Sequence, residues 1–381
     1  MRDLIKSKKT TFLYILLIIF CLGIVIFTFN NYKFYEDNIA KIINVEEKVL
    51  ETTTITYGFK DIEYEQIIEA KILNGEDKDK IIKIKNTYFK SNTYEQKYKK
   101  NDEIFISLNK KDGKITSAHI EGYKRDKYVV LITMLFILTI VFIGKSKGFF
   151  AVISVLLNLA IFYLAIHLNN QGFSLSVLSF IIAIIFCIIS LLLVSGFNKK
   201  TLSAILSSIT GVTITTIIAL VVIYFTDYSG IRFEQIELLT RPYEEIIISE
   251  IIIGGLGAIM DISITISSSL NELIVQNDKI SLKALKKSGI EIGKDVTGTM
   301  INVLFFTYIC GVLPNLTILF RNGLKVGDLL HEYITIEMTR ALTGAIGIVI
   351  TIPISIIITT TLYKRRIKSW LQFYQSFFFF F

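Results

Sequence analysis

The chain has 381 residues, of which 52% are hydrophobic and 19% charged, and it carries a net charge of +8 at neutral pH. Its mean hydropathy of +0.56 excludes an ordinary soluble protein. The apolar residues are concentrated in blocks of roughly 18 to 25, the length that crosses a hydrocarbon core of about 30 Å. The composition therefore predicts an α-helical polytopic membrane protein.

The first apolar block, residues 11–29, follows a basic N-terminus and is not followed by a small-residue cleavage site. We therefore predict that residues 1–29 form a cytoplasmic tail and an uncleaved signal-anchor helix.

The next segment, residues 30–126, is rich in charged residues and alternates apolar with polar residues. The alternation is seen at 52–57, 81–84 and 104–108, and it is typical of strands. The dipeptide Asp112-Gly113 favours a hairpin turn between 104–108 and 115–120, because both residue types tolerate positive φ angles. These patterns predict a small extracytoplasmic β-rich domain, either a barrel or a sandwich.

Seven more apolar blocks follow and form the predicted transmembrane domain, residues 127–363, for a total of eight spans. They occupy residues 128–143, 148–168, 173–194, 202–226, 246–270, 296–319 and 337–363. If the N-terminus is cytoplasmic, the lysine-rich loops and the tail, residues 364–381, all lie inside, as the positive-inside rule requires. We therefore expect a multi-pass protein of the cell membrane, with both termini cytoplasmic and residues 30–126 outside. This arrangement explains the positive charge without a nucleic-acid partner. The aromatic end, residues 376–381, fits either an interfacial anchor or a non-native terminus.

The spans differ in polarity. Those between residues 128 and 226 are mostly featureless, whereas the last three carry nearly all the polar residues expected at membrane depth. With helical spacing, one face of the 246–270 span is polar or small throughout: Glu250, Gly254, Gly257, Asp261, Thr265, Ser268 and Glu272. An ionised side chain near the bilayer centre costs about 2.5–3.5 kcal/mol, so we expect this face to contact other helices or water and not lipid. Asp261 would lie about 20 Å deep.

The last two spans offer partners for that face. Asp295, Thr299 and Asn302 share one helical face, and Asn302 would lie at a depth close to that of Asp261, within reach of a hydrogen bond.

Arg340 would lie at the level of Glu250. A pair of Arg340 with Glu250 or with Glu337 would lower the desolvation cost of each charge. Four glycines are predicted to allow close helix packing: Gly254, Gly257, Gly344 and Gly347.

Two interpretations of these polar residues are open. They could serve packing alone, at about 0.6 kcal/mol for each interhelical hydrogen bond. Alternatively, they could line a pathway. An asparagine would pack as well as Asp261 without an ionisable group, which favours a functional role for this carboxylate.

No motif indicates catalysis, a cofactor or a metal site. Residues 289–295 resemble a phosphate loop, but three residues and not four separate the glycines, and an aspartate replaces the Mg²⁺-binding Ser or Thr. The metalloprotease, nucleophile-elbow and kinase signatures are absent. The histidines, His119, His167 and His331, lie in separate segments without ligands at suitable spacing. We therefore predict a protein that is not an enzyme, with no cofactor and no metal.

Three stretches of the last spans resemble the YibE/F family of bacterial multi-pass membrane proteins. They are residues 257–261 (GAIMD) with 268–272, residues 288–295 with 298–302, and the set Glu337, Arg340, Gly344, Gly347 and Pro353. The resemblance covers roughly residues 246–360, within a YibE/F-like core at 246–363, and the anchor, external domain and plain spans upstream are similar too. It implies family membership but no substrate, because the functions of the family are poorly defined.

We expect a transporter or permease whose translocated species passes near Asp261. The predicted pathway residues are Asp261, Thr265, Ser268, Glu272, Asn302, Glu250, Arg340 and Glu337. The alternative is a non-transporting scaffold or accessory factor whose external domain binds an envelope protein. An intramembrane enzyme would need a second catalytic residue near Asp261, and Asn302 and Tyr308 are poor candidates. The expected partners are the lipid bilayer, the envelope protein and a second copy of the chain.

Overall fold

The computed structural model describes residues 2–54, 60–91, 96–111, 114–226, 243–277, 279–321, 323–328 and 334–364. The chain divides into two compact units, residues 1–145 and residues 146–381. The first contains α1 (Arg2–Phe29), five strands and the first part of α2 (Asp126–Asn170). The second contains the rest of α2 and the helices α3 (Leu175–Ser195), α4 (Lys199–Thr226), α5 (Tyr243–Gln276), α6 (Leu282–Arg321) and α7 (Thr335–Lys364).

The strands of the first unit form one antiparallel sheet in the order β3-β2-β1-β4-β5. Their bounds are β1 (Asn38–Thr54), β2 (Lys60–Ile72), β3 (Ile81–Phe89), β4 (Glu103–Lys111) and β5 (Lys114–Tyr123). The edge strands β3 and β5 line a common groove, so the sheet curls towards closure. Among the described residues there is no second sheet, and the barrel alternative therefore describes the domain better than the sandwich.

The predicted alternation corresponds to strands. Ile82 and Ile84 of β3 are buried, whereas Ile81, Lys83 and Lys85 between and beside them are exposed. Residues 104–108 and 115–120 lie in β4 and β5 as predicted. The pairing of Lys111 with Lys114 confirms the hairpin, although Asp112 and Gly113 themselves lie outside the described residues. The run 52–57 ends β1 as far as Thr54, and its remainder also lies outside them.

A buried polar network joins the sheet to both adjoining helices, and we call it the Lys124 joint. The Lys124 side chain is fully buried, and its ammonium lies 2.8 Å from both carboxylate oxygens of Asp126, at the start of α2. It also lies 3.5 Å from the carbonyl oxygen of Thr28, at the end of α1. The rings of Tyr32 and Tyr35 flank the ammonium, each with its centroid at 5.3 Å. This lysine therefore contacts the ends of both helices.

Tyr32 extends the joint to the sheet. Its hydroxyl donates a hydrogen bond of 3.0 Å to Glu103 of β4. Burial, and then the charge of Glu103, raises the pKa of Tyr32 to about 12, so the phenol stays neutral and keeps its proton for this bond. Glu103 also pairs with Lys127 at 3.3 Å, with both side chains at most 10% exposed.

Six helices are long and apolar enough to cross a membrane, judged by length and composition within the described residues: α2, α3, α4, α5, α6 and α7. In α1 the corresponding stretch is shorter, Tyr14–Phe29. The chain is therefore mostly helical with several candidate membrane spans, as predicted. Two predicted blocks, 128–143 and 148–168, fall within α2, whose helical geometry is interrupted at Lys145 (φ 51°, ψ −129°).

One predicted loop is helical. The lysine-rich segment before residue 296 was expected to connect two spans, but α6 already begins at Leu282. The reason is its own periodicity: Leu285, Gly289 and Gly293 recur every fourth residue and form a buried face. The candidate phosphate loop is part of this helix. Its two glycines are contact points, because a Cβ at Gly289 would meet Ile356 and one at Gly293 would meet Ile352 of α7.

Helices α4, α5 and α7 pack at the centre of the second unit. A Cβ atom at Gly255 of α5 would lie only 3.3 Å from the Cα of Gly344 of α7, so these two backbones approach closely. Helix α3 packs on α4 and α5 through a mostly apolar cluster that includes Ala183, Cys187 and Leu256. Helix α6 packs on α5 and α7 through a second cluster that includes Ile262, Leu285 and Ile348. The arrangement leaves one face of α5 between α3 and α6.

Candidate functional site

A groove with charged residues lies at the α3–α6 side of α5, and we call it the charged groove. It has a volume of about 350 Å³ and is formed by α2, α3, α5, α6 and α7. Its lining is mostly apolar, with the exceptions of Ser179, Ser249, Glu250, Tyr308 and Arg340. An amphipathic cavity of this kind, with a few polar groups in apolar walls, is typical of small-ligand sites.

Arg340 is the centre of the charged cluster in this groove. Its guanidinium lies 3.5 Å from the Glu250 carboxylate and contacts Glu337, one turn earlier on α7. It also stacks over the ring of Tyr308 on α6, 5.5 Å from the centroid. The structure thus brings together the residues predicted to pair. The Tyr308 hydroxyl was not predicted to take part, and it packs against Gly254 of α5.

The cluster is only partly satisfied. The second carboxylate oxygen of Glu250 and the Nε of Arg340 are buried and have no hydrogen-bond partner in the described part of the chain. One guanidinium faces two carboxylates, so the fully ionised cluster carries one excess negative charge. Arg340 lies between the two carboxylates and contacts both of them.

Asp261 lies further along the same face of α5, in different surroundings. Asp261, Gly257 and Glu272 are exposed, while Thr265 and Ser268 are half-buried. The described helices leave the Asp261 carboxylate exposed, so its predicted contact with other helices or water stays a prediction. Helices α3 and α6 pack on α5 through separate apolar clusters.

The predicted hydrogen bond between Asp261 and Asn302 is not formed. Within the described residues no hydrogen bond or ion pair involves Asp261, and Asn302 is exposed on α6. The two residues nevertheless lie at similar positions along the axes of their helices. Gly254 faces Tyr308, and Gly289 faces Leu270, so this antiparallel register places Asp261 opposite Thr299 and Met300.

Three of the four predicted packing glycines, Gly254, Gly344 and Gly347, make close contacts with neighbouring helices. A Cβ at Gly347 would lie 2.8 Å from both Ile259 and Thr215, and one at Gly344 would lie 2.7 Å from Leu304. A Cβ at Gly257, by contrast, would meet nothing within 4 Å. The close backbone approach on α5 is at Gly255. The packing interpretation thus holds for α7 but not for the exposed part of the α5 stripe.

A second polar feature, which we call the hydroxyl seam, was missed by the sequence analysis. Side chains of α4, α5 and α7 meet there, and all are buried: Ser203, Ser207, Thr215, Ser263, Ser267, Thr351, Ser355 and Thr359. The Ser203, Ser267 and Thr359 hydroxyls lie within 2.6–3.3 Å of one another. The expectation that the 202–226 span is featureless is therefore wrong. The signal was a small residue at every fourth position, Ser203, Ser207, Gly211 and Thr215.

Comparison with known protein families decides the affiliation of the chain. A family model described as YibE/F-like protein matches residues 132–365, and one described as the YibE/F family N-terminal domain matches residues 33–123. The chain belongs to the YibE/F family. The match begins well before residue 246, so it also includes the plain spans and the hydroxyl seam of this YibE/F protein. Comparison with curated proteins found no match, and neither did comparison with solved structures.

The seam leads to a packing prediction for this YibE/F protein. Replacing Gly347 with Leu should destabilise it by about 1–3 kcal/mol or more, because the new side chain collides with Ile259 and Thr215 in a closely packed region. Thermal unfolding in nanodiscs, followed by circular dichroism, measures the change.

The matched control is Gly311→Leu, at an exposed helical glycine whose Cβ would meet nothing within 4 Å. Equal melting temperatures for the two variants would contradict the packing assigned to the seam.

Proposed function

We propose that the protein is a permease for protons or small cations in the cell membrane, and that the charged groove contains its binding site. The observation that supports it is the Glu250–Arg340–Glu337 cluster, which places ionisable groups inside candidate membrane spans. Such groups are costly there and usually mark ion or substrate pathways. The excess carboxylate favours a cationic species.

The pathway proposed from the groove continues along α5. Glu250, Gly254, Gly257 and Asp261 share one helical face, and about 16 Å of helix separates the two carboxylates. The uncovered position of Asp261 makes it accessible from outside the bundle of one chain. The cation would first compete with Arg340 for the Glu250 carboxylate and then pass to Asp261.

The proposal includes eight membrane crossings, cytoplasmic termini and an external position for residues 30–126. Interruption of α2 at Lys145 supports two crossings by this helix, with Lys145 and Lys147 at the cytoplasmic turn. An odd number of crossings before α6 would place its lysine-rich start outside the cell, against the positive-inside rule.

Flux measurements test the proposal. In proteoliposomes loaded with a pH- or cation-sensitive dye, the protein should increase flux above that of empty liposomes. Replacing Glu250 with Gln should lower the rate at least about tenfold, since a charge-assisted contact contributes roughly 1.5–3 kcal/mol.

Glu291→Gln is the matched control, because Glu291 forms an exposed pair with Lys294 outside the groove. Its flux should equal that of the wild type. If the wild-type protein gives no flux of protons, Na⁺ or K⁺ above that of empty liposomes, the permease proposal is wrong.

A non-transporting scaffold or accessory factor is the second candidate function, and the exposed Asp261 favours it. In that case the polar face of α5 binds another protein, and the external sheet binds an envelope partner. If Asp261→Asn abolishes the cellular phenotype of the protein but leaves the flux in proteoliposomes unchanged, this candidate is supported over the first.

A further inference from the structure

We propose that a cavity at the ends of α4, α5 and α7 binds the phosphate headgroup of an anionic phospholipid. We call it the basic cavity, and its volume is about 380 Å³. Five polar residues line it: Asn198, Lys199, Lys200, Asn271 and Tyr363. About 30 Å of helix α5 separates Asn271 from Glu250 of the charged groove. The proposal therefore stands whether or not the protein is a permease.

The lining of the basic cavity has two positive charges and, among the described residues, no negative one. Lys199 is exposed and Lys200 is half-buried, and neither forms an ion pair with the described part of the chain. Lys294 of the same unit differs, because it pairs with Glu291 at 3.1 Å. The two ammonium groups of the cavity thus keep their charge for an anionic ligand, and lysine is a common ligand of phosphate.

Tyr363 holds one of these charges in place without neutralising it. The Lys199 ammonium lies over the Tyr363 ring, 5.7 Å from the centroid. The Tyr363 hydroxyl donates a hydrogen bond to the side-chain oxygen of Asn271. No described residue accepts a hydrogen bond from the amide NH₂ group of Asn271, so this group is free to donate to a phosphate oxygen. The cavity therefore offers a neutral donor beside its ammonium groups.

The basic cavity lies at the level where apolar helix segments end. Lys199 and Tyr363 are the end residues of the candidate membrane spans of α4 and α7. Asn271 directly follows the apolar block 246–270 of α5. The headgroup layer of a bilayer adjoins the ends of such spans, so phospholipid phosphates lie at the level of the cavity. In the topology proposed above, this is the cytoplasmic side, where basic pockets between helices bind anionic headgroups.

An exposed apolar strip continues from the cavity along α4 and favours a lipid over a free phosphate ion. Leu202 and Leu206 follow Lys199 on one helical face, and they are 44% and 41% exposed. A phospholipid bound at Lys199 can place an acyl chain against these two side chains, whereas a phosphate ion would contact only the polar residues. Because two lysines remain unneutralised, a lipid with a net negative charge fits better than a zwitterionic one.

Native mass spectrometry of the full-length chain in detergent micelles, titrated with phosphatidylglycerol, tests the proposal. We expect saturable binding that is at least about tenfold tighter than the binding of phosphatidylcholine. Lys199→Gln/Lys200→Gln should weaken phosphatidylglycerol binding at least about tenfold, because it removes both charges of the cavity. Lys199→Arg/Lys200→Arg should retain the binding, because it preserves them. Neither lysine is buried, so both variants should keep the wild-type circular dichroism spectrum.

The matched control is Lys286→Gln/Lys287→Gln, which removes the same charge at two exposed positions of α6 that do not line the cavity. Its affinity for phosphatidylglycerol should stay within about threefold of the wild type at physiological salt, where exposed charges are screened. Equal losses in the two glutamine variants, or no preference for phosphatidylglycerol over phosphatidylcholine, would overturn the proposal. So would an affinity for inorganic phosphate, measured without added lipid, that equals the affinity for phosphatidylglycerol.

Discussion

Arg340→Met is expected to destabilise the protein by roughly 2–4 kcal/mol. Removing one partner of a buried ion pair costs about 3–5 kcal/mol. We expect a somewhat smaller loss here because the Arg340 side chain is 20% exposed. The variant leaves Glu250 and Glu337 unpaired among apolar helices and also removes the contact with the Tyr308 ring. The change is measured as the midpoint of thermal unfolding in nanodiscs.

A triple variant separates the ion pair from packing. In Glu250→Gln/Glu337→Gln/Arg340→Met no charge remains, and most of the lost stability should return because neutral polar groups are cheaper to bury than an uncompensated carboxylate. The triple variant should nevertheless give no cation flux. If Arg340→Met is as stable as the wild type, the cluster is not the buried electrostatic element described above.

Lys124→Met should produce the second large effect, a loss of about 3–5 kcal/mol in the stability of the first unit. The fully buried ammonium is the charge that compensates Asp126, and it also lies between the two tyrosine rings. Hydrogen exchange of the sheet amides in the full-length protein reports the change, with faster exchange expected in β1 and β4, next to the joint.

The control for this prediction is the exposed pair between Lys83 and Glu69 on the same sheet. Its atoms are 3.1 Å apart, yet the lysine is 73% exposed, so Lys83→Met should cost less than about 1 kcal/mol. Lys124→Met/Asp126→Asn should recover part of the loss. Equal protection in Lys124→Met and Lys83→Met would show that the joint does not stabilise the sheet.

The helices and strands were largely predictable because their patterns are local. Residues 81–84 alternate in the sequence and alternate in burial. The polar stripe of α5 was also visible in the sequence, and so was the chance that Arg340 pairs with Glu250. Both depend on helical spacing and on the level of each residue in its span.

What covers each part of a stripe was not predictable, because it depends on where neighbouring helices pack. Glu250 pairs with Arg340, whereas Asp261, three turns further on the same face, is exposed and has no ion pair with the described residues. The hydroxyl seam was missed for a related reason. Serine and threonine also occur singly in apolar spans, where they have no special role. Here three helices bring such residues, spaced four apart, into contact with one another.

The Lys124 side chain was indistinguishable from the other lysines of a basic domain. Its burial results from the contact between the junction of β5 with α2 and the end of α1, where Thr28 lies 96 residues earlier in the sequence. No single segment shows that contact.

The close approach of Gly255 to Gly344 also determines which helices of this unit can move relative to one another. With backbones nearly touching and hydroxyls bonded across them, α4, α5 and α7 form a stiff frame. Helix α3 is held differently, by apolar side chains and by the Glu245 carboxylate that accepts a hydrogen bond of 2.7 Å from the Leu175 backbone N–H. A shift of α3, which lines the groove beside Glu250, would therefore open the groove while the frame stays intact.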